Sequence, residues 1–266
     1  MKTPRNLTQL QMMKSQGEKI TCVTAYDASF AAQAVDSGVD ILLVGDSLGM
    51  VIQGHDSTLP VTLDDMIYHA KMVRRGAPNQ LIILDLPFMT YATPAAALDN
   101  AARLMREGHG QMVKLEGGAW LLETIQLLTE RGIPVCGHLG LTPQSVHQLG
   151  GYRVQGRSEN DAQRILDDAL ALEKAGASLL VLECVPSDLA KRISSTLQIP
   201  TIGIGAGVDC DGQVLVLYDM LGITKGKSPT FSKNFLIGQD SIQTALQHFV
   251  MAVKNKTFPD LEHSFT

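Results

Sequence analysis

Short apolar, β-rich runs alternate along the chain with stretches whose apolar residues recur at helical spacing. The runs are Ile20–Asp27, Ile41–Ser47, Leu81–Phe88, Met112–Gly118, Ile133–Gly140, Ser178–Val185 and Ile199–Ala206. Each is apolar on both parities, the pattern of strands buried on both faces. Between them, Thr62 and Asp65 have the spacing of a capping box ahead of a helix over Leu63–Arg75. Thr93-Pro94 places an N-cap before a proline at the first helical position. Ser158 and Asp161 form another box pattern, after which Ile165, Leu166, Ala169, Leu170 and Leu172 recur at helical spacing. A last helix, Ser241–Lys254, carries Ile242, Leu246, Phe249, Val250 and Val253 on one stripe. Gly38, Gly76, Gly108, Gly132 and Gly176 stand where helices should stop.

Repeated strand-then-helix order implies a parallel sheet. An eighth strand is expected within Gln213–Leu221, although a helix fits the same apolar stretch. The 266 residues suit one large domain or two small ones. No linker or low-complexity tract divides them, so the expectation is one α/β domain over 1–266. Its fold is expected to be a closed (β/α)8 TIM barrel with an additional N-terminal helix. Gly203, Gly205 and Gly207 suggest a dinucleotide loop, but Val208 or Cys210 stands where the third glycine of that fingerprint belongs. A tight turn at the barrel mouth is the simpler reading.

Composition removes several classes. The chain is 45% apolar and 18% charged, with a formal net charge of −5. It is therefore globular rather than disordered, and it offers no basic footprint for nucleic acid or an anionic membrane. No apolar run approaches the roughly 18 residues of a membrane span. Met1–Thr8 carries charge without a following apolar segment, so no signal peptide is expected. Cys22, Cys136, Cys184 and Cys210 are scattered, as reduced thiols of a cytoplasmic protein would be.

Barrel enzymes carry their chemistry at the C-terminal ends of the strands. Here the runs end or are interrupted at Tyr26-Asp27, Gly45-Asp46-Ser47, Asp85, Lys114 with Glu116, Gly137-His138 and Glu183. One carboxylate at a strand end is usually a cap or a solvated loop residue. Six strand ends with ionisable groups point to one mouth. Asp46, Asp85 and Glu116, without cysteine or paired histidine, suit a hard cation such as Mg²⁺. Asp46 and Asp85 are the first choices as direct ligands. Lys114 and Glu116 share one face of a strand and both point inward if one does. Lys114 pairs an anionic substrate or forms a structural ion pair. His138 is a donor to an oxygen or a hydrogen-bonded core histidine. Glu183 stands among apolar neighbours, which would raise its pKa toward that of a general base or acid. The alternative is a carboxylate that orients a metal ligand. His55, His69 and His147 lack partners at metal spacing, and Trp120 reads as packing. No nucleophile elbow or phosphate-binding loop is present.

At these residues the chain resembles the ketopantoate hydroxymethyltransferases. The resemblance is carried by Val44-Gly-Asp-Ser-Leu-Gly-Met-Val51, Val61-Thr-Leu-Asp-Asp-Met66, Asp85-Leu-Pro-Phe88, Val113-Lys-Leu-Glu-Gly-Gly118 and Gly137-His-Leu-Gly-Leu-Thr-Pro-Gln-Ser145. It continues through Gly150-Gly-Tyr-Arg-Val-Gln-Gly156, Leu182-Glu-Cys-Val-Pro186 and Pro200–Gly207 to the Phe258-Pro259 tail. Gly108-His-Gly-Gln111 departs from the small-residue pattern of that family. The resemblance implies a barrel of the phosphoenolpyruvate mutase-like superfamily. It implies Mg²⁺-dependent transfer of a one-carbon unit from the co-substrate 5,10-methylenetetrahydrofolate to 3-methyl-2-oxobutanoate, giving 2-dehydropantoate for pantothenate synthesis. It assigns metal contacts to Asp46, Asp85 and Glu116, and substrate contacts to Asp46, Ser47, Asp85 and Lys114. Glu183 would be the proton acceptor, with Lys114 and His138 balancing charge, in a homodecamer of paired rings. A Mg²⁺-dependent C–C lyase is the other enzyme reading. Such lyases use a cysteine on a mobile loop, whereas Cys136, Cys184 and Cys210 fall in or near strands.

Overall fold

The computed structural model describes residues 5–226 and 228–266. Eight parallel strands close into a barrel in sequential order. They are β1 (Ile20–Thr24), β2 (Ile41–Val44), β3 (Leu81–Asp85), β4 (Met112–Glu116), β5 (Val135–Gly140), β6 (Leu179–Glu183), β7 (Thr201–Ile204) and β8 (Gly212–Leu215). The helices are α1 (Leu7–Ser15), α2 (Ala28–Asp36), α3 (Leu48–Val51), α4 (Leu63–Gly76), α5 (Pro94–Gly108), α6 (Leu122–Glu130), α7 (Val146–Leu149), α8 (Glu159–Lys174), α9 (Ser187–Thr196), α10 (Leu217–Met220) and α11 (Ile242–Lys254).

The two parities of each strand build two cores. Ile41, Leu43, Leu81, Ile83, Met112, Cys136, Leu179, Val181, Ile202 and Ile204 form one cluster inside the barrel. Their neighbours Leu42, Val44, Ile82, Leu84, Val113, Leu180 and Leu182 join the helices in the outer core. The additional N-terminal helix plugs the interior. Leu10 and Met13 of α1 belong to the inner cluster and are buried. An Asn6–Gln9 capping box starts that helix.

The strands are shorter than the apolar runs, because the ends of the runs turn into loops or caps. Asp27, for example, accepts the Phe30 N–H as the cap of α2. Thr62 and Asp65 cap each other reciprocally. Ser158 accepts the Asp161 N–H, but the Asp161 carboxylate turns back to the Gly156 N–H, so that box is not reciprocal. Gly38, Gly132 and Gly176 follow their helices in the left-handed region. Gly76 and Gly108 instead remain the last residues of α4 and α5. A Cβ at Gly76 would collide with the Ala28 carbonyl, so close approach is what selects glycine there.

The Gln213–Leu221 stretch is divided. Its first part is β8, and α10 follows at once, with the Leu217 N–H bonded to Thr24 Oγ1. No helix intervenes between β7 and β8. Residues 205–211 make that connection, with Gly205 and Gly207 at positive φ as a tight turn. Asp211 anchors it by accepting from the Thr201 N–H and from Lys14 Nζ, at 2.8 Å each.

Candidate active site at the mouth of the barrel

In β3 to β6 the inward parity begins apolar and turns polar toward its C-terminal end. In β3 the order is Leu81, Ile83, Asp85; in β4 it is Met112, Lys114, Glu116. In β5 Cys136 precedes His138, and in β6 Leu179 and Val181 precede Glu183. Strand register sets these ends side by side, with Asp85 opposite Lys114 and Glu116 opposite His138. Asp46 and Ser47 lie in the turn after β2. A side chain at Gly45 would press on Ser47 Oγ at 2.9 Å and Asp85 Oδ2 at 3.4 Å, which explains glycine at that turn.

Asp46, Asp85, Lys114, Glu116 and His138 are all buried. The Asp46 N–H donates to Asp85 Oδ2 at 3.1 Å. Lys114 Nζ lies 3.1 Å from Asp85 Oδ1 and 3.7 Å from Glu116 Oε1. The approach to Asp85 Oδ1 is off-angle, and that buried oxygen has no aligned donor among the described residues. His138 Nδ1 lies 3.3 Å from both Glu116 Oε1 and Lys114 Nζ. Its Nε2 is 3.2 Å from Glu183 Oε2, also at a skewed angle. Ser47 Oγ and the Tyr26 hydroxyl hydrogen-bond at 2.9 Å.

Burial and charge together set the protonation states. Burial, then Asp85 and Glu116, push the Asp46 carboxyl well above the usual range. Burial also raises Asp85, against the opposing pull of Lys114. Burial disfavours the charged forms of Lys114 and Glu116 as well. For Lys114 it is outweighed by Asp85, Glu116 and Asp46, which raise the ammonium. For Glu116 it is outweighed by His138 and Lys114, which lower the carboxyl. Burial and Lys114 push His138 down, but Glu116 and Glu183 prevail and raise it to about 9.

Four carboxyl groups thus meet two cationic groups. The deficit of positive charge, the all-oxygen donor set and an Asp85 Oδ1 that accepts no aligned hydrogen bond, though Lys114 Nζ lies 3.1 Å away, fit a hard divalent cation beside Asp46 and Asp85. Among the described residues no three His, Cys, Asp or Glu side chains already converge as a cation cluster. Lys114 stands between Asp85 and Glu116, and Glu116 is engaged by His138 and the Gln144 N–H.

Residues 4–261 match the family profile described as Ketopantoate hydroxymethyltransferase. A 3-methyl-2-oxobutanoate hydroxymethyltransferase of Nitrosococcus oceani is 64% identical over 97% of this chain and 98% of its own. One from Escherichia coli is 58% identical over 98% and 99%. The chain belongs to the ketopantoate hydroxymethyltransferase family. Its fold is shared with more distant solved structures. A 2,3-dimethylmalate lyase aligns with TM-score 0.58 at 19% identity, over 81% of this chain and 82% of the other. A phosphonopyruvate hydrolase complexed with oxalate and Mg²⁺ aligns with TM-score 0.60 at 12% identity, over 79% and 80%.

In this family member the sequence pattern missed two residues at the mouth, Gln144 and Tyr91. Gln144 Nε2 donates to Asp46 Oδ2 at 2.7 Å, and the Tyr91 hydroxyl donates to Gln144 Oε1. The Leu-Thr-Pro-Gln-Ser turn after His138 was the only signal for Gln144, and Tyr91 had none. Glu183 differs from its expected setting. Leu182 points into the outer core, and the Glu183 side chain, 14% exposed, meets His138 rather than an apolar wall. Trp120 is 63% exposed and stacks on Tyr91 instead of entering the core. His55 and His147 are exposed, and His69 Nδ1 is bonded to the Tyr26 carbonyl. The four cysteines are free and buried, and burial pushes the Cys136 thiol up to about 12.

Proposed function

We propose that the mouth transfers a hydroxymethyl unit from 5,10-methylenetetrahydrofolate to 3-methyl-2-oxobutanoate, giving 2-dehydropantoate and tetrahydrofolate, with water supplying the hydroxyl oxygen. The layer of Asp46, Asp85, Lys114, Glu116, His138 and Glu183 carries this reading, together with the names of the full-length relatives. Mg²⁺, held by Asp46 and Asp85 with Glu116 nearby, would polarise the 2-oxo acid and make its C3–H more acidic.

The chain's own residues do the rest. Lys114, kept protonated by its carboxylates, faces the negative charge that develops on the keto oxygen. Asp46, Asp85 and Ser47 line the substrate's oxygen end, with Ser47 held by Tyr26. Water breaks the two C–N bonds of the folate methylene, releasing formaldehyde and tetrahydrofolate; Glu183 takes the C3 proton, the resulting carbanion equivalent adds to the formaldehyde carbon, and the new alkoxide takes up the proton. Protonated His138, with Nε2 3.2 Å from Oε2 at a skewed angle, balances the charge of Glu183, and Oε1 has no hydrogen-bond donor among the described residues. Incubating the protein with both substrates and Mg²⁺ should give 2-dehydropantoate, read by NMR. Folded protein that gives none contradicts the reading.

The finer attributes have separate support. The unbroken barrel, plugged by α1, supports a single domain over 1–266. Four free cysteines support a reducing, cytoplasmic setting, and no described helix is long and apolar enough to cross a membrane. The homodecamer is supported by the family resemblance.

A further inference from the structure

We propose that Gln144 is a positioning residue that fixes one oxygen each of Asp46 and Glu116, and that Tyr91 acts by locking the Gln144 carboxamide. The inference rests on the reading of the mouth as a divalent-cation and 2-oxo-acid site. Gln144 is buried in the one-turn helix Pro143–Ser145 after β5. Its Nε2 donates to Asp46 Oδ2 at 2.7 Å and to the Leu86 carbonyl at 3.0 Å. Its backbone N–H donates to Glu116 Oε2 at 3.0 Å. Its Oε1 accepts from the Tyr91 hydroxyl, which also lies 3.4 Å from the Glu116 carbonyl. Both amide hydrogens therefore face acceptors and the amide oxygen faces a hydroxyl, so only one orientation of the carboxamide satisfies every partner. Tyr91 is itself fixed by burial and by its stack on Trp120, with ring centroids 6.0 Å apart.

The consequence is a division of the carboxylate oxygens. Asp46 Oδ2 and Glu116 Oε2 are held by Gln144, and Asp85 Oδ2 is held by the Asp46 N–H. Asp46 Oδ1 and Asp85 Oδ1 accept no aligned hydrogen bond among the described residues. One uncharged residue thus ties the turn after β2, the loop after β3 and the end of β4 to the turn after β5. It leaves Asp46 Oδ1 without a hydrogen bond among the described residues, while Asp85 Oδ1 faces Lys114 Nζ at 3.1 Å. Carboxylate ligands oriented in this way bind metal more tightly than ones left to rotate.

The test is Mn²⁺ binding by the full chain, read from the electron paramagnetic resonance of free Mn²⁺, with and without 3-methyl-2-oxobutanoate. Gln144→Met keeps the side-chain length and removes the amide. It should weaken binding roughly ten- to a hundredfold in folded protein, with activity recovering at saturating Mn²⁺, and lower the melting temperature because buried acceptors lose their donor. Tyr91→Phe should weaken binding less, and the double variant should match Gln144→Met alone, because Tyr91 works through Gln144. Affinity in Gln144→Met within about twofold of wild type, the spread of a neutral substitution, overturns the inference. So does a double variant whose losses add. Should Gln144→Met fail to fold, Tyr91→Phe decides, and wild-type affinity there overturns the inference. Wild-type protein that binds no Mn²⁺ overturns the cation reading as well. A wild type that binds beside an unaffected Gln144→Met overturns this inference alone.

Discussion

His138 shows how a single residue takes its state from its neighbours. Its imidazole is buried beside a lysine, and both features favour the neutral form. Glu116 and Glu183 reverse that and raise its pKa to about 9, against about 6.5 for an unfolded histidine. The folded protein therefore binds this proton more tightly than the unfolded chain does. The associated stability, on the order of 3 kcal/mol, is complete below about pH 6.5 and is lost as pH rises through about 9. For metal-free protein the urea midpoint should fall between pH 7 and 9.5, and the fall should be shallower in His138→Gln. A wild-type midpoint flat across that window would show that the histidine is neutral. The charged residues of the mouth were legible because each interrupts an apolar strand. Gln144 was not, since a neutral side chain in a turn breaks no pattern. Its partners Asp46 and Glu116 are 98 and 28 residues away in sequence.

Elements were legible where periodicity and capping agree, as in α4 with its Thr62–Asp65 box. They were less so where tertiary contacts decide. The apolar stretch of β8 and α10 contains no break at Val216; the Thr24 hydroxyl, from the neighbouring strand β1, accepts the Leu217 N–H where α10 begins. The end of α5 is set in a similar way. Gly108 packs against Ala70 and Leu84, and the left-handed turn passes to His109 at φ 58°. The role of α1 depends on the whole barrel, because nothing local says that Leu10 and Met13 enter its interior. Leu10→Ala should cost about 2–5 kcal/mol in urea unfolding, as truncation of a fully buried leucine does. Activity per folded molecule should be retained, because α1 closes the end of the barrel opposite the mouth. A cost below 1 kcal/mol, on the order of a surface substitution, would mean that α1 is not a plug.

At the scale of the molecule, the fold explains why two parities of one sheet do different work. The outward parity binds helices, and the inward parity of β3 to β6 begins apolar and turns ionisable toward its C-terminal end, so ionisable groups collect at one mouth. A net charge of −5 is modest for the chain, yet four carboxyl groups share that buried layer with two cations. Such an arrangement is suited to a dication and an acidified C–H. The most direct measurement of that central claim is deuterium exchange at C3 of 3-methyl-2-oxobutanoate, followed by NMR without the folate. Wild-type protein should catalyse exchange that depends on Mg²⁺, and Glu183→Gln should lose it by roughly 10²–10⁴-fold, the usual contribution of a positioned base. Full exchange in Glu183→Gln, or none in the folded wild type with Mg²⁺, would contradict it.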